Sequence, residues 1–419
     1  MSLMKTAKSD RWFYSAFFGS ATTGPLGTIV ALKVLSVGGT VIQYGVIASV
    51  ATLATVIASI FWGILIDEVN ERWLVLGISY FGVMASLIGM YSSTTLFNLA
   101  FSYVVASFFQ AAAGPASNVL IMQLTTKDGW SKAFGRYNAF SSAGVVFGYV
   151  VSSIFSTFFS LNSVILILSP FCAISTALVF VTLRGVSTPP IERRALALNR
   201  TSFISRLLSN PTFFLHLPRK EDLKGFVRML RTSFNRETPL LYLSLFVFNF
   251  SSGIFNTAFN PSLVKKGLEN GVVLGVNLFV MVVQTLSMRI AGRPSKKEEL
   301  SAVRRGLAFR MLGYVATSLS IYFLASYELA IAVGLSFALS GGYAYSLIYV
   351  SMFSLVFDSL QMERQGGMLG IVSALSGVGV FLGSLVSGYL AFYAGYTVTD
   401  LVAAVFLGVV YYLLRSFKE

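Results

Sequence analysis

Apolar residues run along this chain in long blocks, and polar ones gather in the short stretches between them. Crossing the hydrocarbon of a bilayer takes about 20 predominantly apolar residues in a helix. Twelve blocks meet that length, with approximate limits 12–35, 40–66, 73–93, 96–124, 134–159, 162–183, 240–263, 270–291, 303–324, 328–356, 366–393 and 398–414. Lipid offers the backbone no hydrogen-bond partners, so each block is expected to be helical. Val and Ile are frequent, yet the blocks are too long and too uniformly apolar for barrel strands. The expected fold class is therefore an all-α polytopic membrane protein with twelve transmembrane helices.

Composition agrees with this pattern. The 419 residues are 55% hydrophobic and 11% charged, with a mean hydropathy of +0.74, whereas a soluble domain carries about 25% charged residues. The net charge of +14 could suggest nucleic acid, but the basic residues fall between apolar blocks and form no folded basic face. Of the 31 Lys and Arg, all but Lys33, Lys265, Lys266 and Arg310 lie on one side if the N-terminus is inside. The positive-inside rule then predicts both termini in the cytoplasm, in a plasma membrane. The start of the chain has a basic region but no small-residue cleavage site after it, so it reads as a retained first span. The single Cys172 and single His216 exclude an internal disulfide, a cysteine or histidine metal cluster and a histidine-based triad. No metal or cofactor is expected.

The blocks fall into two sets of six. The expected division is an N-terminal bundle over 1–184, a basic linker over 185–238 and a C-terminal bundle over 239–419. "GRYNAFSSAGVVFGYVVSS" from Gly135 aligns without a gap with "GIVSALSGVGVFLGSLVSG" from Gly370. Gly144 and Gly148 thereby pair with Gly379 and Gly383, and Gly135, Ala139, Ser141, Val145, Val151 and Ser152 also find identical residues. These glycines are expected at close helix contacts. Duplication of a six-helix unit is the better explanation, and parallel six-helix repeats occur in transporters.

After the second block comes "GILIDEVNERW", from Gly63 to Trp73. It resembles the signature of the major facilitator superfamily, roughly G-x-x-x-D-[RK]-x-G-R-[RK]. Gly63, Asp67 and Arg72 match, whereas Glu68, Asn70 and Glu71 depart from it. The flanking second helix and the fifth also look like that family's. The resemblance implies two pseudo-symmetric six-helix bundles that rock about a central cavity, and a cytoplasmic gate. In that gate Gly63 would allow close helix approach, and Asp67 would accept hydrogen bonds from the start of the eleventh helix. Arg72 would be steadied by an acid such as Asp128. The plainer alternative is a turn whose charges are solvated.

In that family the first and fourth helices of each half line the cavity. Asn249, Ser252, Asn256 and Asn260 fall at i, i+3, i+7 and i+11 in the seventh block. Gln110, Gly114 and Asn118 form a similar row in the fourth, and Tyr345 and Tyr349 stand at the repeat positions of Gln110 and Gly114. Gln110, Asn118, Asn249, Ser252, Asn256, Tyr345 and Tyr349 are the expected cavity residues. Asn277 and Gln284 in the eighth block are read as interhelical hydrogen-bonding groups. Pro25 and Pro261 are expected to bend the first and seventh helices. The 17 acids are placed at the ends of spans or outside them, Asp400 among them at an outer edge, and Arg310 in the inner part of the ninth span. The cavity is thus expected to be uncharged, with Lys33 snorkelling to the interface or drawing anions to the outer mouth.

These features suit a neutral polar or amphipathic small solute, and leave a sugar-like molecule and a lipophilic drug equally open. Coupling by a midplane carboxylate is not expected. In the linker, Leu223, Phe226, Val227, Leu230 and Phe234 share one helical face, suited to an anionic inner leaflet. A monomer is expected. The alternative function is a non-transporting membrane sensor or lipid-moving protein with the same fold. An enzyme is the weakest case, since no nucleophile–base pair, metal cluster or phosphate loop is present.

Overall fold

A computed structural model describes residues 11–69, 71–125, 129–184, 238–291, 299–359 and 365–415. These form fourteen α-helices and one π-helical turn. The first half holds α1 (Phe13–Ser36), α2 (Val41–Glu68), α3 (Arg72–Tyr91), α4 (Leu96–Gln110), α5 (Ala113–Leu124), α6 (Trp130–Phe158) and α7 (Leu161–Leu183). The second holds α8 (Thr238–Lys265), α9 (Asn270–Ala291), α10 (Glu299–Phe323), α11 (Ser326–Phe337), the π-turn Ala338–Ala344, α12 (Tyr345–Ser359), α13 (Gln365–Tyr393) and α14 (Tyr396–Arg415). All twelve apolar blocks are helical, and the fourth and tenth are the two that break. Ten of the spans are long and apolar enough to cross a membrane by length and composition. The other two, α1 and α10, are diluted by small polar residues and by arginine respectively.

Packing repeats between the halves. α1 lies along α6 and α7, as α8 lies along α13 and α14; α3 packs on α7, as α10 packs on α14. The halves meet where α2 lies on α13 and α6 on α9, two contacts that exchange under the same pseudo-symmetry. Four of the shared glycines make close contacts with backbone inside each half. A side chain at Gly144 or Gly148 would collide with the carbonyl oxygens of Phe17 and Ala21 on α1. One at Gly379 would sit 2.8 Å from the Phe246 carbonyl oxygen, and one at Gly383 would collide with that of Phe250, both on α8. With no Cβ in the way, the backbones come together and dispersion contacts multiply, which is the main attraction available between helices in lipid. Pro25 and Pro261 lie inside α1 and α8. Having no N–H, Pro25 leaves the Ala21 carbonyl without its intrahelical donor, and Gly148 packs against that carbonyl.

The described contacts between halves run from the end away from the chain termini to about the middle of α2 and α13, where a Cβ at Gly377 would collide with the Val56 side chain. A Cβ at Gly45 on α2 would lie 2.9 Å from the Gly388 Cα on α13. The Ser153 hydroxyl on α6 donates to the Gly271 carbonyl on α9 at 2.8 Å. Val41, Ala258 and Ala391 join in a buried cluster against which Tyr396 packs.

Near the termini the picture differs from expectation. Gly63 would meet nothing within 4 Å if it carried a Cβ, so it does not mediate close helix approach here. Arg72 is buried at 2% exposure, and its Nε donates to the Ile66 carbonyl at 3.1 Å. Asp128 lies outside the described residues, as does the side chain of Asp67. Lys33 does not line an open mouth. It is 2% exposed and donates to the Met90 carbonyl and, at 3.2 Å, to the Ser93 hydroxyl. It thus serves a carbonyl that the end of α3 leaves without an intrahelical partner.

Candidate functional site

In the first half, α1, α3, α4, α5 and α6 surround a cavity of ≈ 580 Å³. Gln110, Gly114 and Asn118 form one wall, on either side of the break between α4 and α5, and all three are exposed. Opposite stand Ser20 and Thr23 of α1, with Ser79 and Tyr80 of α3. Tyr137, Asn138 and Ser141 of α6 complete the polar lining, which includes no charged residue. Several lining hydroxyls are already engaged. Ser20 and Ser141 share a hydrogen bond of 2.8 Å, Ser79 donates to the Phe109 carbonyl at 2.8 Å, and Ser117 to that of Gly114 at 2.9 Å. The amides of Gln110, Asn118 and Asn138 are the exposed donors and acceptors that remain. Hence the wall can hydrogen-bond a polar solute without offering it a full charge.

The matching region of the second half is built differently. Arg310 stands twelfth in the 25-residue α10 and is 2% exposed. Its Nε donates to the Tyr314 hydroxyl at 3.0 Å, and its two terminal nitrogens to the Ser340 carbonyl at 3.3 Å and the Ser252 hydroxyl at 3.1 Å. The rings of Phe248, Tyr314 and Tyr345 lie within 5.0–5.3 Å of the guanidinium carbon. Tyr314 stacks on Phe255 with centroids 3.8 Å apart. Ser340 belongs to the π-turn Ala338–Ala344. In a π-turn the i→i+5 pattern replaces the regular ladder locally, and here a carbonyl within it accepts from the guanidinium.

Arg310 keeps the place read for it, in the first half of its helix, but it is enclosed there by acceptors from α8 and the π-turn and by three aromatic faces. Asp400 likewise stays near the start of its helix and is enclosed. It is the fifth residue of α14 and 1% exposed, and neither carboxylate oxygen has a hydrogen-bond partner.

The expected cavity residues are therefore divided. Gln110 and Asn118 share one cavity. Ser252 and Tyr345 are taken up by Arg310. Asn249 donates to the Leu245 carbonyl of its own helix at 2.8 Å. Asn256 is exposed within an otherwise buried run of α8, and Tyr349, 43% exposed, stacks on Tyr345. Asn260 is buried and accepts from Asn277 at 2.8 Å, so this pair ties α8 to α9, the role read for Asn277 from its sequence. Tyr80, Tyr137 and Asn138 were not singled out by sequence. The last two sit beside Ser141 within the repeated "GRYNAFSS", where helical spacing already put them on neighbouring positions of one face.

Comparisons with known proteins agree with this architecture. The family model of the Major Facilitator Superfamily matches residues 12–371. A sequence search of curated proteins finds no match. Among solved structures, the nucleoside transporter NupG superposes with a TM-score of 0.69 at 15% identity, covering 100% of both chains. A POT family transporter in complex with 5-aminolevulinic acid gives 0.73 at 12% identity, over 98% of this chain and 95% of that one. A bacterial homologue of the human lysosomal transporter Spinster, solved inward-facing and unoccupied, gives 0.69 at 13%, over 100% and 98%. With the family model covering most of its length, this chain belongs to the major facilitator superfamily.

Proposed function

We propose that this protein carries a small neutral polar or amphipathic solute across the plasma membrane by alternating access, and that the cavity of the first half is where the solute binds. The observation that carries the reading is the ≈ 580 Å³ space whose polar lining includes amides and hydroxyls but no charge. That size suits a small organic ligand. The charge bias of the loops supports both termini in the cytoplasm. On that orientation the closed contacts of Gly45 with Gly388 and Ser153 with Gly271 are external, and this conformation faces inward. Asp67 and Arg72 would form the opposite, cytoplasmic gate when the halves rock back. The protein acts as a monomer, with no metal or cofactor; the amphipathic stretch of the linker, Leu223 to Phe234, lies outside the described residues.

Arg310 does not alter the preference for a neutral solute, because its charge is already surrounded by protein acceptors and rings. Uptake of a labelled solute panel into liposomes containing the purified protein tests the proposal. Accumulation of at least one neutral solute, lost in Asn118→Ala, is the expected result. Transport confined to anions and abolished by Arg310→Gln would overturn it.

A further inference from the structure

Asp400 takes no part in the cavity of the first half, and a structural role for it is hard to find. It is 1% exposed and both its oxygens lack a partner. Its neighbours on the helix are held by other elements: the Ser318 hydroxyl of α10 donates to the Thr397 carbonyl at 3.0 Å, and Ser251 of α8 to that of Ala403 at 2.7 Å. Asp400 therefore lies in the seam where α14 meets α8 and α10. No charged or titratable group of the surrounding elements gives Asp400 a hydrogen bond. α10 carries Glu299, Arg304, Arg305, Arg310, Tyr314 and Tyr322, but Arg304 donates to the Leu414 carbonyl and the Arg310 guanidinium to Tyr314, Ser340 and Ser252. α8 ends in Lys265, whose Nζ lies 5.5 Å over the Tyr396 ring. The described side chains of α13 include Tyr389 and Tyr393 but no charged residue.

An ionised carboxylate buried without a partner is strongly disfavoured, and such a group takes a proton instead. The seam also lies beside the contact between the halves. Tyr396, one helical turn before Asp400, packs on the cluster of Val41, Ala258 and Ala391, and Val41 comes from the first half. Parting of the halves at this end would uncover Tyr396 and let water reach the residue behind it.

We propose that Asp400 is a proton-binding site linked to closure of this end, holding its proton while the halves are closed there and releasing it when they part. The proposal rests on the alternating-access reading for its motion and adds the proton as coupled ligand. The sign follows from linkage: closure is accompanied by proton uptake, so acid favours the conformation described here and alkali favours opening at this end.

Maleimide labelling of Ala391→Cys, in a Cys172→Ser background in liposomes, reads the opening directly. Ala391 is 2% exposed when the end is closed. Because thiol reactivity itself rises with pH, the reading is the ratio of labelling rates between the Asp400 protein and Asp400→Asn. That ratio should climb with pH, by up to tenfold per unit across the titration for one linked proton, roughly. A ratio independent of pH overturns the proposal. If Asp400→Asn fails to assemble, Asp400→Glu serves: a shifted pH midpoint relative to Asp400 supports it and an unchanged one overturns it. Failure of every solute in the liposome panel, with the labelling ratio still dependent on pH, would remove the transport reading and leave the proton site standing.

Discussion

Between α1, α3, α4–α5 and α6 the first half keeps an open space lined by Gln110, Asn118, Asn138 and tyrosines. Between α8, α10 and the π-turn the second half places Arg310, with Tyr314 stacked on Phe255 and Tyr345 over the guanidinium. The scaffold is common to both, down to the glycines that seat α6 on α1 and α13 on α8. What differs is what fills it. A duplicated frame keeps its backbone contacts because small residues specify them, while the side chains inside it are free to become a binding space in one copy and a rigid charged core in the other. The broken fourth span and the π-turn of the tenth make the same point. Both interrupt the helix at comparable levels, one opening onto the cavity and the other offering the Ser340 carbonyl to Arg310.

The largest effect of a single substitution is expected at Arg310. Arg310→Met should remove three charged hydrogen bonds at once, leaving the Ser340 carbonyl and two hydroxyls without a donor. A stability loss of about 3 kcal/mol or more is expected, since each such bond contributes roughly 1.5–3 kcal/mol. Thermal unfolding in detergent measures it, and a loss below about 1 kcal/mol would mean that the second half is not held by this charge. Next come the glycines shared by both halves. Gly148→Val and Gly383→Val should each cost about 1–3 kcal/mol by overpacking against α1 and α8. Similar losses in the two would sharpen the case for a common frame, whereas a loss in only one would weaken it. Gly63→Ala, with open space around it, should stay within about 0.5 kcal/mol in the same assay. The smallest expected effect on folding, and the most selective on binding, is at the cavity wall. Gln110→Ala should leave the melting temperature unchanged but weaken solute affinity roughly five- to tenfold, the equivalent of one lost hydrogen bond of about 1 kcal/mol. Unchanged affinity would move the binding space away from this wall.

Much of this was legible along the chain. The apolar blocks gave the helices, because a span needs a fixed length of apolar residues wherever it occurs. The ungapped match from Gly135 and Gly370 pointed to the duplication, and Gly144, Gly148, Gly379 and Gly383 within it proved to be contact points, whereas Gly135 meets nothing within 4 Å. The row Gln110, Gly114, Asn118 faces one cavity because helical period alone fixes which residues share a side. The row from Asn249 to Asn260 has the same period and yet is divided among four uses. Asn249 turns to its own helix, Ser252 to Arg310 and Asn260 to Asn277, while Asn256 stays exposed. Period says which residues point the same way, not what they meet.

What the sequence determined by itself is whatever depends on neighbours along one helix or on the surrounding solvent: the number and length of the apolar blocks, the repeated frame and the family. Only the tertiary structure decided the burial and company of the charges. Arg310 and Asp400 each look peripheral when measured from the end of an apolar block. Both are buried because helices distant in sequence close around them, and burial of a charge is a property of that enclosure.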